Sequence, residues 1–146
     1  MKHLIKYKDG SIGIMTTVLD ETRPEDEFLK CTPEYVDNVE GHRPMEESEM
    51  PEDRYFRGAW THSDDKINVD MDKAKDIHRN VLRELRKPKL EALDIEFIRA
   101  DETFDDEEKS LIRIKKQELR DVTQAPEIVN AKSLEELKSF MPDILK

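Results

Sequence analysis

Apolar residues along the chain keep a period near two at the start and a period near 3.6 from about residue 70 onward. In the first stretch, Leu4-Ile5-Lys6-Tyr7 and Ser11-Ile12-Gly13-Ile14-Met15-Thr16-Thr17-Val18 flank Asp9-Gly10. That pattern predicts a β-hairpin over residues 2–18, because Asp-Gly readily supplies the two positive-φ residues of a type I′ turn, whose twist matches the paired strands. Residues 23–31 predict a short helix: Pro24 suits a first helical turn, and Glu25, Asp26 and Glu27 suit the positive end of the helix dipole. Residues 35–39 alternate weakly and predict a third short strand. Residues 40–52 place Gly41, Pro44 and Pro51 among charges without periodicity, which predicts a loop.

Beyond Asp70, a plausible N-cap, Met71, Ala74, Ile77, His78, Val81, Leu82 and Leu85 recur at intervals of three and four, the mark of an amphipathic helix. The stripe resumes after Pro88 at Leu90, Leu93, Phe97 and Ala100. An interior proline removes one hydrogen bond and crowds the preceding turn, so either one helix spans 71–102 with a bend near Lys87 or a second begins there. Asp105-Asp106-Glu107-Glu108 should open a further helix, with Leu111, Ile112, Ile114, Leu119 and Val122 facing back onto the first. Residues 71–122 therefore predict an antiparallel helical pair. Ser133-Leu134-Glu135-Glu136 matches a capping box for a short last helix that Pro142 stops. The predicted class is α+β, with a small β-rich part at 1–69 and a helical hairpin region at 70–146.

Composition sharpens this picture. The chain has 146 residues, 36% hydrophobic and 41% charged, so the core must be lean and part of the apolar surface is available for another molecule. The formal net charge is -10, which opposes nucleic acid and anionic membranes as partners. Residues 1–69 hold 9 Lys or Arg against 16 Asp or Glu, so most of the excess acid lies in the first half. Cys31 is the single cysteine, which excludes an intrachain disulfide and fits synthesis in a reducing cytoplasm. No apolar run reaches the ~20 residues of a membrane span, and the N-terminus lacks a signal-peptide core.

Chemistry is hard to find. His3, His42, His62 and His78 show no helical ligand spacing, and the cluster of His62 with Asp64 and Asp65 is better explained as an exposed acidic loop than as a zinc site. Residues 64–72 are rich in oxygen ligands but lack the central glycine and the closing glutamate of a calcium loop. His78 lies on the apolar stripe and has no companion nucleophile, so it is expected as a core residue. Arg79, Arg83, Arg86, Lys87 and Lys89 are expected on a solvated helix face paired with Asp76, Glu84 and Glu91. No enzyme activity, metal or cofactor is expected.

Residues 51–60 stand apart. Tyr55, Phe56 and Trp60 sit among Arg54 and Arg57 in a chain otherwise poor in aromatics, and these residue types dominate binding hot spots. The rings are expected first as an internal anchor between the β-rich part and the helices, and alternatively as an exposed interface. Together with Leu90, Leu93 and Phe97 on the helical stripe, Tyr55, Phe56, Arg57 and Trp60 are the residues expected to bind another protein.

The run Pro51-Glu52-Asp53-Arg54-Tyr55-Phe56-Arg57-Gly58-Ala59-Trp60, with Val69-Asp70-Met71-Asp72-Lys73-Ala74, Leu90-Glu91-Ala92-Leu93-Asp94, Arg99-Ala100-Asp101-Glu102 and Lys116-Gln117-Glu118-Leu119-Arg120-Asp121-Val122-Thr123, resembles small proteins encoded in tail or tail-fibre regions of tailed-phage and prophage genomes. The similarity spans roughly residues 50–142. The helical half resembles phage tail assembly chaperones in Asp94, the loop near residues 104–107 and the Lys116–Asp121 ending. The resemblance implies a non-enzymatic chaperone that binds a tail or tail-fibre protein, or itself as a homo-oligomer, in the host cytoplasm during assembly. The acidic first half departs from the shorter chaperone pattern and suits the alternative, a structural component of the tail, baseplate or fibre attachment that stays in the virion.

Overall fold

The computed structural model describes residues 2–16, 37–63 and 66–146. The helix expected at 23–31 and the start of the strand expected at 35–39 lie outside them. The chain divides into two compact units, Met1–Asp70 and Met71–Lys146, and its class is α+β.

In the first unit β1 (Lys2–Tyr7) is the centre of an antiparallel sheet ordered β2-β1-β3, with β2 at Ile12–Thr16 and β3 at Val39–Met45. His3, Leu4 and Ile5 are all buried, as a strand covered on both faces requires. The first hairpin forms where expected, but its turn is of another kind. Gly10 has φ 79° while Asp9 keeps a negative φ, Gly10 N–H donates to the Tyr7 carbonyl at 3.0 Å, and Tyr7 N–H donates to Ser11 O at 3.0 Å. These bonds describe a three-residue loop closed by a glycine bulge rather than a type I′ turn. The Asp9 carboxylate explains the difference: it accepts the Ser11 N–H at 2.9 Å, which holds the turn in the type I sense.

The third strand runs Val39–Met45, through residues expected as loop. Its glycine and proline are compatible with strand because β3 is an edge among the described residues. Pro44 lies opposite His3, where a missing N–H leaves no gap inside the sheet. A register shift at Lys6 and Tyr7 takes up one extra residue near Gly41. Arg43 holds the 3-10 turn Glu47–Glu49 against this strand through Glu49 Oε2 at 2.6 Å.

A two-stranded ribbon follows that was not expected: β4 (Trp60–Ser63) pairs antiparallel with β5 (Lys66–Val69), Trp60 opposite Val69 and His62 opposite Ile67, while Asp64 and Asp65 of the expected acidic loop lie outside the described residues. The β-branched Thr61, Ile67 and Val69 favour a pleated ribbon that the surrounding acids concealed. A bridge from Ser11 to Thr61 ties the ribbon to the first hairpin.

The second unit begins with α1, Met71–Glu102, continuous through Pro88. At ~1.5 Å per residue its 32 residues span about 48 Å. Of the two expected alternatives, a single helix over 71–102 forms and no second one begins at Pro88. Pro88 and Glu84, whose carbonyl loses its partner, are both exposed, so the freed carbonyl is open to water, while Leu82 is fully buried upstream and Lys89 Nζ reaches the Ile144 carbonyl at 2.9 Å. Helix α2, Asp106–Asp121, returns antiparallel, capped by Asp105, whose carboxylate accepts the Glu108 N–H at 2.9 Å. Short helices α3 (Pro126–Asn130) and α4 (Leu134–Ser139) follow, the latter capped by Ser133 as expected.

This unit's core is lean, as composition demanded. Ala74, His78 and Leu82 of α1 are fully buried, with Ile112 and Leu119 of α2, Ile128 of α3 and Leu137 of α4. The basic residues of α1 are not simply solvated. Lys75 donates to the Val129 carbonyl at 2.7 Å, Arg79 to Thr123 at 3.3 Å and Arg86 to Arg120 at 2.7 Å, so the cations satisfy carbonyls where the later segments end. Arg79 also keeps its expected pair with Asp76 at 2.8 Å.

His78 is the polar member of this core, and its ring Nε2 lies 3.0 Å from the Phe140 carbonyl. A carbonyl only accepts, so Nε2 carries the proton and the neutral ring binds the C-terminal segment to α1. Burial holds the His78 pKa below the usual histidine value, and the bond to Phe140 only partly offsets it. The unfolded chain therefore binds a proton more readily than the folded one. The contribution of His78 to stability is complete above about pH 6.5, the ordinary histidine value, and is lost as pH drops from there through the depressed folded value, by at most about 1.4 kcal/mol per pH unit. Thermal midpoints recorded from pH 7.5 to pH 5 should decline for the native chain and decline less for His78→Gln. Equal slopes would show that the ring does not titrate in this way.

Candidate protein-binding surfaces

Two surfaces, one in each unit, bring apolar groups together with charge; those of the first are half-buried or buried, and those of the second include exposed ones. The first is built on β2. Ile12 and Ile14 of that strand, Met50, and Trp60 at the head of β4 wall an open hollow of about 470 Å³, with Arg54 and Arg57 also lining it. Both arginines are exposed, whereas the Lys2 ammonium at one side is paired with Glu47. Trp60 is 6% exposed and Phe56 2%, so both large rings expected here are buried. Trp60 thus has a packing role inside the first unit, over β2. The 3-10 turn Arg57–Ala59 sets the ring by placing Trp60 at the start of β4, and the Ala59 carbonyl accepts from Asp70 N–H at 2.9 Å. Tyr55 is half-buried and meets Phe56 edge to face, ring centroids 4.6 Å apart.

The second surface is the distal end of the helical hairpin. Leu90, Leu93 and Phe97 are half-buried, and Phe97 faces α2: Lys116 Nζ lies 4.9 Å and Arg113 Cζ 5.2 Å from its ring centroid. Lys116 also pairs with Asp94 at 2.6 Å, so long cations close the space between the helices where larger apolar residues would otherwise be required. The side chains that face outward are different ones. Ile95 is 54% and Ile98 58% exposed on α1; Leu111 is 59% and Ile114 57% exposed on α2, correcting their expected inward placement. Ile112 and Leu119 make the actual contact stripe, with Lys109 and Lys116 filling the intervening turns.

At the tip, Phe104 is 85% exposed and has φ 58°. Phe104 N–H donates to the Asp101 carbonyl at 3.1 Å and Asp105 N–H to the Ala100 carbonyl at 2.9 Å. This pair of bonds is the Schellman ending of a helix, in which the left-handed position is ordinarily glycine because a Cβ is crowded there. A bulky aromatic at that position is strained. Around it Asp101, Glu102, Asp105, Asp106, Glu107 and Glu108 are exposed. Lys109 sits between Asp101 at 3.0 Å and Asp106 at 2.8 Å; both bonds hold its ammonium above the usual lysine pKa, and it keeps Asp106 below the usual aspartate value. The other carboxylates leave the tip acidic.

Sequence reasoning named the Trp60 segment and missed the tip. The signal was present: Phe104 follows a helix where glycine is the usual stop, and Ile95 and Ile98 fall off the apolar stripe. Among the described residues no helix is long and apolar enough to cross a membrane, and no three His, Cys, Asp or Glu side chains converge as metal ligands. No protein-family model, curated protein or solved structure matches the chain.

Proposed function

We propose that this chain is a non-enzymatic binding protein, acting as an assembly chaperone for a tail or tail-fibre protein of a tailed phage. The observation that supports binding most directly is the distribution of exposed large apolar side chains: of seven among the described residues, Ile95, Ile98, Phe104, Leu111 and Ile114 lie in the distal part of one helical hairpin, while Leu85 and Val129 lie elsewhere. Single exposed hydrophobics are ordinary, but five in twenty residues of a chain with only 36% hydrophobic content place apolar surface where the fold makes no use of it. The phage context rests on the resemblance of residues 50–142 to tail-region proteins.

Mass spectrometry of purified particles tests the chaperone role. A chaperone leaves after assembly, so particles should lack this chain while lysates contain it. Stoichiometric recovery in intact particles would overturn the chaperone role in favour of a structural virion component.

A further inference from the structure

The hairpin tip and the Trp60 hollow carry opposite charge. One projects an aromatic ring from a cluster of carboxylates; the other is an open concavity with an indole wall beside two exposed guanidinium groups. The hollow's volume of about 470 Å³ lies within the range of sites that accept a small molecule or an anchoring side chain. We propose that the chain associates with itself head to tail, the Phe104 ring of one copy entering the Trp60 hollow of a second copy, with the tip carboxylates facing the second copy's Arg54 and Arg57. This rests on the reading above that the chain works by binding, and names one partner as the chain itself.

Three features favour this occupant. A ring held at φ 58° costs folding energy that glycine would spare, so its retention at an exposed tip suits contact with something outside the hairpin. Aromatic-on-aromatic contact and carboxylate–guanidinium pairing are the interactions these two surfaces offer, and arginine pairs a carboxylate bidentately. At physiological salt the repulsion between two chains of charge -10 is screened beyond roughly 8 Å, whereas direct contacts between the acidic tip and the arginines persist. Because the two surfaces differ, the interface is heterologous. Two copies can close the contact by exchanging tips reciprocally, and otherwise each added copy leaves one tip and one hollow open for growth to a ring or a filament.

Sedimentation velocity of the full chain at increasing concentration tests this. The native chain should show a rising mean mass. Phe104→Gly should weaken association at least about tenfold, as loss of a central aromatic anchor does, while raising the thermal midpoint by relieving the positive φ. Phe104→Asn, which also tolerates that backbone, should reproduce the loss of association. The double variant Arg54→Glu, Arg57→Glu should be equally defective. A mixture of Phe104→Gly with the arginine double variant retains one sound hollow and one sound tip, so it should form a one-to-one dimer and nothing larger. A native chain that stays monomeric overturns the inference, as does association indifferent to both sets of variants or a mixture that remains monomeric. A monomer that still co-purifies with a tail protein would refute self-association alone.

Discussion

Trp60→Ala is expected to lower the free energy of unfolding by about 3 to 5 kcal/mol, the cost typical of truncating a buried aromatic. The ring is 6% exposed and walls the hollow over β2, while its backbone begins the β4–β5 ribbon opposite Val69. Its removal leaves a cavity at the point where the ribbon joins the sheet through the Ser11–Thr61 bridge. Denaturant titration followed by far-ultraviolet circular dichroism measures the change. A midpoint within experimental error of the native chain would mean that the indole packs against nothing of consequence, and would move Trp60 from scaffold to exposed interface.

Leu82→Ala should cost about 2 to 5 kcal/mol. Leu82 is fully buried on α1, one turn beyond His78 and on the same face as Ala74. The later segments are already held to this part of the helix, Lys75 to the Val129 carbonyl at 2.7 Å and His78 to the Phe140 carbonyl at 3.0 Å, so the space vacated by a leucine cannot readily collapse. Ile95→Ser on the same helix provides the contrast: with Ile95 54% exposed, its replacement should change stability by no more than about 0.5 kcal/mol. If Ile95→Ser destabilises as much as Leu82→Ala, the assignment of inner and outer faces is wrong.

The helical half was largely legible because its signals are local and repeated. The stripe from Met71 to Ala100, the acid-rich start of α2 and the Ser133 capping box all act within a turn or two, and each reported its own element. Pro88 was ambiguous for a physical reason. Whether proline ends a helix depends on whether water can serve the orphaned carbonyl and whether packing holds both sides, and neither property is local. The β-rich half was less legible, since strands draw their stability from partners distant in sequence. Gly41 and Pro44 looked like loop residues until β1 supplied a ladder for which an edge proline costs nothing. The Asp9-Gly10 hairpin was placed correctly but given the wrong turn, because the Asp9 side chain's bond to Ser11 outweighed the dipeptide's preference.

The candidate sites divide in the same way. Aromatic and arginine residues at 54–60 could be found by composition, and the structure gathers Arg54, Arg57 and Trp60 around one hollow. Phe97 followed the apolar stripe and faces α2, under Lys116 and Arg113. Leu111 and Ile114 were assigned inward because lysines are seldom counted as contact residues. Yet the stems of Lys109 and Lys116 occupy those interhelical positions, with side chains only 13% and 12% exposed. Once the lysines join Ile112 and Leu119 inside, Leu111 and Ile114 are left on the outside.

The proposal that this chain works by binding a tail or tail-fibre protein through the hairpin's exposed apolar side chains is tested most directly by co-expression with each such protein singly, followed by affinity purification through a tag on this chain. The native chain should retain a stoichiometric partner, and polar replacement of Ile95, Ile98, Leu111 and Ile114 should release it without altering the circular dichroism spectrum. Failure of the native chain to retain any tail or fibre protein, or undiminished retention by the polar variant, would contradict the claim.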